Sequence, residues 1–213
     1  MTSIPTPHVS PALHLNAALK EWAVAVRALR EGRQVLLLRK GGIREEGGEF
    51  EVAARNVLLF PTYIHEDEQT DSLQSCYGQW HREENRRKPQ GEQVRIEAWA
   101  QIMDVLRIQD PSSLFKLASQ IIYSDQFLRF RIENEPHKPL YALFLRAYDL
   151  SQPHLIQMEP DYYGCKSWVT LHQTIDTTDS RPALSDRTYH ERVRVTRRIL
   201  TEGSAAQTLL RPE

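Results

Sequence analysis

The run "PLYALFLRAYDL", residues 139–150, decides the fold. From Leu140 to Leu145 every position is apolar, with neither a two-residue alternation nor a polar helical stripe. Both faces must therefore be buried, which describes an internal strand of a sheet with a neighbour on each side. Working outward, "KSWVTL" (166–171) gives a further strand after a turn at Gly164, and "VRIEAW" (94–99) and "VLRIQ" (105–109) give two more. "FLRFRIE" (127–133) alternates, with Leu128, Phe130 and Ile132 on one side and Arg129, Arg131 and Glu133 on the other, so its period predicts a half-buried strand. "NVLLF" (56–60) reads as a short strand stopped by Pro61, whose missing N–H ends a ladder.

Helical signals frame this set. "DPSSLFKLASQII" (110–122) has Asp110 as N-cap, Pro111 at its first position, and Leu114, Leu117, Ala118 and Ile121 as its apolar stripe. A closing helix is expected from Asp186 to Leu200, capped by Ser185, with Tyr189, Val193, Thr196 and Leu200 inward and Arg187, Arg194 and Arg198 on the opposite face. Residues 12–29 fit a short helix to about Leu19 followed by a strand, which would pair with "VLLLR" (35–39) as a hairpin across the turn at Gly32. Strands and helices mix without a regular βαβ alternation. The fold class is α+β: one domain, a mixed curved sheet flanked by helices, and a C-terminal helix. The expected domain spans 12–200, with a polar insertion at about 66–90, a flexible tail over 1–11 and a second tail over 201–213.

The chain has 213 residues, enough for a substantial core, and a net charge of −1, so no global basic field announces nucleic acid. Any anion site must be local. Two cysteines, far apart in sequence, exclude a disulfide framework, and with no apolar membrane span they fit a cytoplasmic setting.

The blocks "LKEWAVAVRAL", "VLLLRKGGIREE", "LLFPTYIHE", "PLYALFLRAYDL" and "GCKSWVTL", in this order, resemble a bacterial, often cyanobacterial, family catalogued as a domain of unknown function, DUF1802. The likeness runs from Leu19 to Leu200. Some relatives occur beside restriction-endonuclease-like domains, so the resemblance implies a link to DNA restriction and no established activity. The polar segment from Glu66 to Gln90 is longer than the family pattern.

The leading site candidate is "RKGGIREE" (39–46). Glycine pairs let backbone N–H groups converge on an anion, and Arg39, Lys40 and Arg44 supply charge beside Gly41 and Gly42. Neither the phosphate-loop nor the dinucleotide pattern is present, so a plain turn with positive-φ glycines stays open. If Arg39 and Lys40 are exposed, removing them changes stability by only about 0–1 kcal/mol each. His65, beside Glu66, Asp67 and Glu68, is a candidate for phosphate chemistry, against a solvated acidic loop. Lys166 and Trp168, two residues apart on one face of a strand, would stack a base or cover the core. No Asp/Glu-x-Lys occurs anywhere, which argues against a restriction-type nuclease. No catalytic residue, cofactor or metal is assigned. The expected role is an accessory nucleic-acid-associated binding protein, with nucleic acid or a phosphate-bearing ligand as partner and no membrane. An enzyme using His65 with Arg39 or Lys40 on a phosphorylated or nucleotide substrate, and a structural interaction protein, are the alternatives.

Overall fold

The computed structural model describes residues 14–40, 52–63, 70–164 and 166–202. Among these, seven strands form one mixed sheet: β1 (His14–Trp22), β2 (Leu36–Lys40), β3 (Asn56–Thr62), β4 (Gln93–Arg107), β5 (Leu140–Gln157), β6 (Trp168–Asp176) and β7 (Arg181–Pro182). The order is β2-β5-β4-β3-β1-β6, with β7 pairing β5 beyond the end of β2. Only β1 and β3 run parallel. The α-helices are α1 (Ala23–Arg30), α2 (Gly78–Arg87), α3 (Asp125–Glu133) and α4 (Asp186–Thr201), so the molecule is an α+β single domain.

The 139–150 stretch lies inside β5, between β2 and β4 as its composition requires. Its ladder with β4 carries irregularities between Ile96 and Ala98 and between Ile102 and Asp104. An extra residue in one strand exchanges the faces of everything beyond it. Accordingly Ala98, Ala100 and Ile102 enter one hydrophobic cluster, while Val94 and Ile96 enter the other. The first cluster unites the helices with one side of the sheet. The second joins Ala18, Leu58, Phe60, Trp99, Tyr148, Val169 and Leu171, from five strands, with Tyr162 from a single 3-10 turn. These are cross-strand neighbours, Ala18 opposite Leu58 and Val169, Leu58 opposite Trp99, and Trp99 opposite Tyr148, so the cluster covers the other face of the sheet.

Several sequence expectations are corrected. Residues 14–30 run strand then helix, not helix then strand. In α1 six of eight side chains are buried, leaving Arg27 and Arg30 on the outer face. Its Ala–Val alternation imitates a strand, and only the three-residue spacing of Arg27 and Arg30 marks the outer helical face. The hairpin is absent, because α1 separates β1 from β2 and β2 pairs with β5 instead. "FLRFRIE" belongs to α3: the Ser124 hydroxyl accepts from Phe127 N–H at 3.1 Å and Asp125 sits in the first turn, which outweighs the short alternation. Phe130, assigned to a buried face, is 59% exposed. Finally, "VRIEAW" and "VLRIQ" contribute to one long strand, and β3 continues through Pro61. Its ladder with β4 registers only Asn56–Leu58, so Pro61 lies past the point where its missing N–H would matter there.

The segment at 110–122 is helical only over Pro111–Leu117, as a 3-10 helix, with Asp110 capping Ser112 N–H and Ala118 exposed. The middle of the polar insertion is helical, as α2.

Candidate functional site: a cationic cluster where the sheet curls back on itself

Arg39 and Lys40 end β2, and neither projects freely into solvent. The Arg39 guanidinium is 3.0 Å from a Glu21 carboxylate oxygen and donates to the Lys20 carbonyl at 3.1 Å, both on β1. Three strands lie between β2 and β1 in the sheet. Arg39 therefore bridges parts of the sheet that no ladder joins. Glu21 is itself buried and also accepts from Trp22 N–H at 2.9 Å. Lys40 donates to the carbonyls of Arg131 and Ile132 at 2.6 and 3.0 Å, placing a cation at the C-terminal end of α3. The α3 residue Arg131 donates in return to the Leu38 carbonyl at 3.1 Å.

Three cationic heads thus gather, with the Glu21 carboxylate paired to Arg39 and acting on Arg131, and the Glu135 carboxylate acting on Lys40. Burial is the first cause lowering the pKa of both Lys40 and Arg131. The neighbouring Arg131 charge adds to the effect on Lys40, and Arg39 opposes Glu21 in its effect on Arg131. Among the described residues, the Nε–H groups of Arg39 and Arg131 are out of contact with solvent and have no hydrogen-bond partner, nor has the Gln34 amide nitrogen. An unsatisfied buried donor costs about 1–3 kcal/mol, more when charged, and calls for an explanation such as an ion or water. Beside the cations lies an aromatic wall. Trp22 and Phe127 are 5.0 Å apart and Phe127 stacks on Tyr123 at 4.8 Å, with the Arg131 guanidinium 5.7 Å from the Phe127 ring. Burial, and then Glu21, raise the Tyr123 phenol far above its ordinary value, so it is a neutral wall of the site.

The other candidates are distributed differently. Gly41, Gly42, Arg44 and His65 lie outside the described residues. Lys166 donates to the Asp161 carbonyl at 3.2 Å and precedes the start of β6, so the strand period does not govern its side chain. Trp168 is half-buried against the first core, and its indole N–H has no partner among the described residues. Its register opposite Leu19 puts it on the side of β1 that carries Glu21. The guanidinium groups of Arg187, Arg194 and Arg198 are exposed and make no ion pair or hydrogen bond with a described residue.

A cavity of about 410 Å³ elsewhere is lined by Arg27, Arg30, Arg86, Arg87, Glu31, Glu83 and Asp149. Its charges mostly satisfy one another: Arg27 pairs with Glu31 and Glu83, Arg30 with Glu97 and Asp149, and Arg87 with Glu84 and Glu97. That lattice fastens α1 and α2 to the sheet.

Sequence reading missed Glu21, Gln34, Tyr123 and Arg131. Arg131 was findable: on a helix, residues 127, 128 and 131 share a face, which turns one arginine toward the core.

No functionally curated protein matches the chain. Among solved structures, the ASCH protein of Zymomonas mobilis is similar at 12% identity, covering 84% of this chain and 93% of that one, with a TM-score of 0.41. A tyrosine-to-phenylalanine mutant of the same protein gives 13% identity, 84% and 96% coverage, and a TM-score of 0.41. Similarity this low leaves the ligand to be argued from this chain's own residues. The model of a domain of unknown function, DUF1802, matches residues 18–195, so the chain belongs to that family.

Proposed function

We propose that the protein is an accessory, non-catalytic nucleic-acid-associated binding protein of the bacterial cytoplasm, and that it takes a phosphate-bearing ligand at the Arg39–Lys40–Arg131 cluster. One observation carries the reading: half-buried cations outnumber carboxylates there, and two solvent-inaccessible guanidinium N–H groups have no partner among the described residues. Anionic oxygens are the complement such donors select, because charge-assisted hydrogen bonds are the strong ones. The aromatic wall offers a surface for a base. Along a bound strand the exposed stripe of Arg187, Arg194 and Arg198 would supply further phosphate contacts.

The test is binding of mixed-sequence single strands, followed by fluorescence anisotropy over a range of salt concentrations. Affinity should fall with salt, by about 0.7 in logarithmic slope for each phosphate contacted. Arg131→Gln should weaken binding by about ten-fold or more, the equivalent of one charge-assisted hydrogen bond. Absence of binding, or identical affinity in the variant, would refute the reading.

A further inference from the structure

The geometry points to a cluster selective for a phosphomonoester dianion, the terminal phosphate of a nucleic acid strand or nucleotide, over the monoanionic phosphodiesters within a chain. This inference rests on the phosphate-binding reading above and assigns the part of the ligand that enters. The charges facing the site come from three elements. Strand β1 supplies Glu21, β2 supplies Arg39 and Lys40, and α3 supplies Arg131. Glu135 lies near Lys40 but is 2.6 Å from Lys138, a pair that neutralises itself. Tyr123 and Gln34 are uncharged. Three cations and one carboxylate leave a surplus of two positive charges among the described residues.

Charge removed from water must be compensated where it sits. A phosphodiester would leave one of the two surplus charges uncompensated. A terminal phosphate carries about −1.5 to −2 near neutral pH and offsets nearly all of it.

Shape argues the same way. The Arg39 side chain is only 13% exposed and the Nε atoms of both Arg39 and Arg131 are inaccessible to solvent, so a ligand meets only the small exposed remainder of these guanidinium groups. A phosphodiester has a sugar on both sides and two free oxygens, and its chain must both enter and leave. A phosphate end has one sugar and three equivalent oxygens. It can approach head-on and present its oxygens to the accessible guanidinium and ammonium N–H groups. The half-buried rings of Trp22 and Phe127 then stand where the first base beyond that phosphate could stack.

Isothermal titration of the full-length protein near neutral pH tests this. The probes are a mixed-sequence hexadeoxynucleotide with a 5′-phosphate, a 3′-phosphate, or hydroxyls at both ends, a nucleoside monophosphate, and inorganic phosphate. At least one phosphorylated end should bind about ten-fold or more tighter than the hydroxyl-ended strand, and this preference should shrink in both Arg131→Gln and Arg131→Lys. The comparison of ends on the unaltered protein stands even if a variant fails to fold. Equal affinity for all three ends overturns the dianion selectivity. If that shared affinity still drops in Arg131→Gln, the phosphate-binding reading survives without it, and binding of no probe overturns both. Should inorganic phosphate bind as tightly as the phosphorylated strand, the selectivity stands and the strand end is overturned as its source.

Discussion

Replacing Arg39 by Met should destabilise the protein by about 3–5 kcal/mol, the cost of removing one partner from a buried ion pair. The pair is 3.0 Å across, and the side chains of Arg39 and Glu21 are only 13% and 9% exposed. Methionine keeps most of the aliphatic bulk, so the loss would come from Glu21, left without its cation, and from the Lys20 carbonyl, left without its donor. The sequence expectation for an exposed charge was about 0–1 kcal/mol, which the burial of this pair revises upward. Against a total stability of about 5–15 kcal/mol the difference is easily read from urea unfolding midpoints. Glu21→Gln should rescue part of the loss, so the double variant should be more stable than additivity predicts, by about 0.5–3 kcal/mol. An Arg39→Met cost below about 1 kcal/mol, or strict additivity, would refute the seam described here.

Gly32→Ala should cost about 1–3 kcal/mol, because Gly32 has φ +63° and an added Cβ would lie 2.4 Å from the Leu184 side chain; a chemical melt within error of the parent would contradict this. Tyr63 should titrate late. Burial, and then Glu84 and Glu97, raise its phenol to about 12, so the folded state holds its proton through a range in which the unfolded state has lost it. The stability this contributes is complete below about pH 10 and is lost as pH rises toward 12. The 295 nm titration of Tyr63→Phe should therefore lack one late-ionising tyrosine, and no difference between the curves would count against the burial.

Much of the fold was legible because its strongest signals are local. The apolar run from Leu140 to Leu145 could only be an interior strand, and the Ser185 cap with its inward Tyr189, Thr196 and Leu200 could only open an amphipathic helix. Errors arose where the signal was short or swamped. Six alternating residues at 128–133 imitate a strand, and the cap that decides otherwise is one hydroxyl at Ser124. In α1 the alternation of Ala and Val imitates a strand, and the helical face is marked only by Arg27 and Arg30.

The site was only half legible, for a different reason. Arg39 and Lys40 are visible as charge at the end of a strand, but what they do depends on residues 18, 91 and 92 positions away, at Glu21, Arg131 and Ile132. Arg39 meets Glu21 because the sheet brings β1 back to β2 across three intervening strands, and Lys40 meets Arg131 and Ile132 because α3 packs at the end of β2. Curvature of that kind is a sum over the whole ladder and leaves no mark at either end. The consequence is that stability and binding share the same atoms. Arg39 closes the seam by pairing with Glu21, and the seam's surplus charge is what a ligand would neutralise. A bound anion should therefore raise the melting temperature. Saturation to 100 times its dissociation constant contributes about 2.7 kcal/mol if the ligand binds only the folded chain. That gain should shrink in Arg131→Gln, which keeps the Arg39–Glu21 pair but loses a ligand contact. In Arg39→Met the gain should shrink and the baseline stability should fall with it.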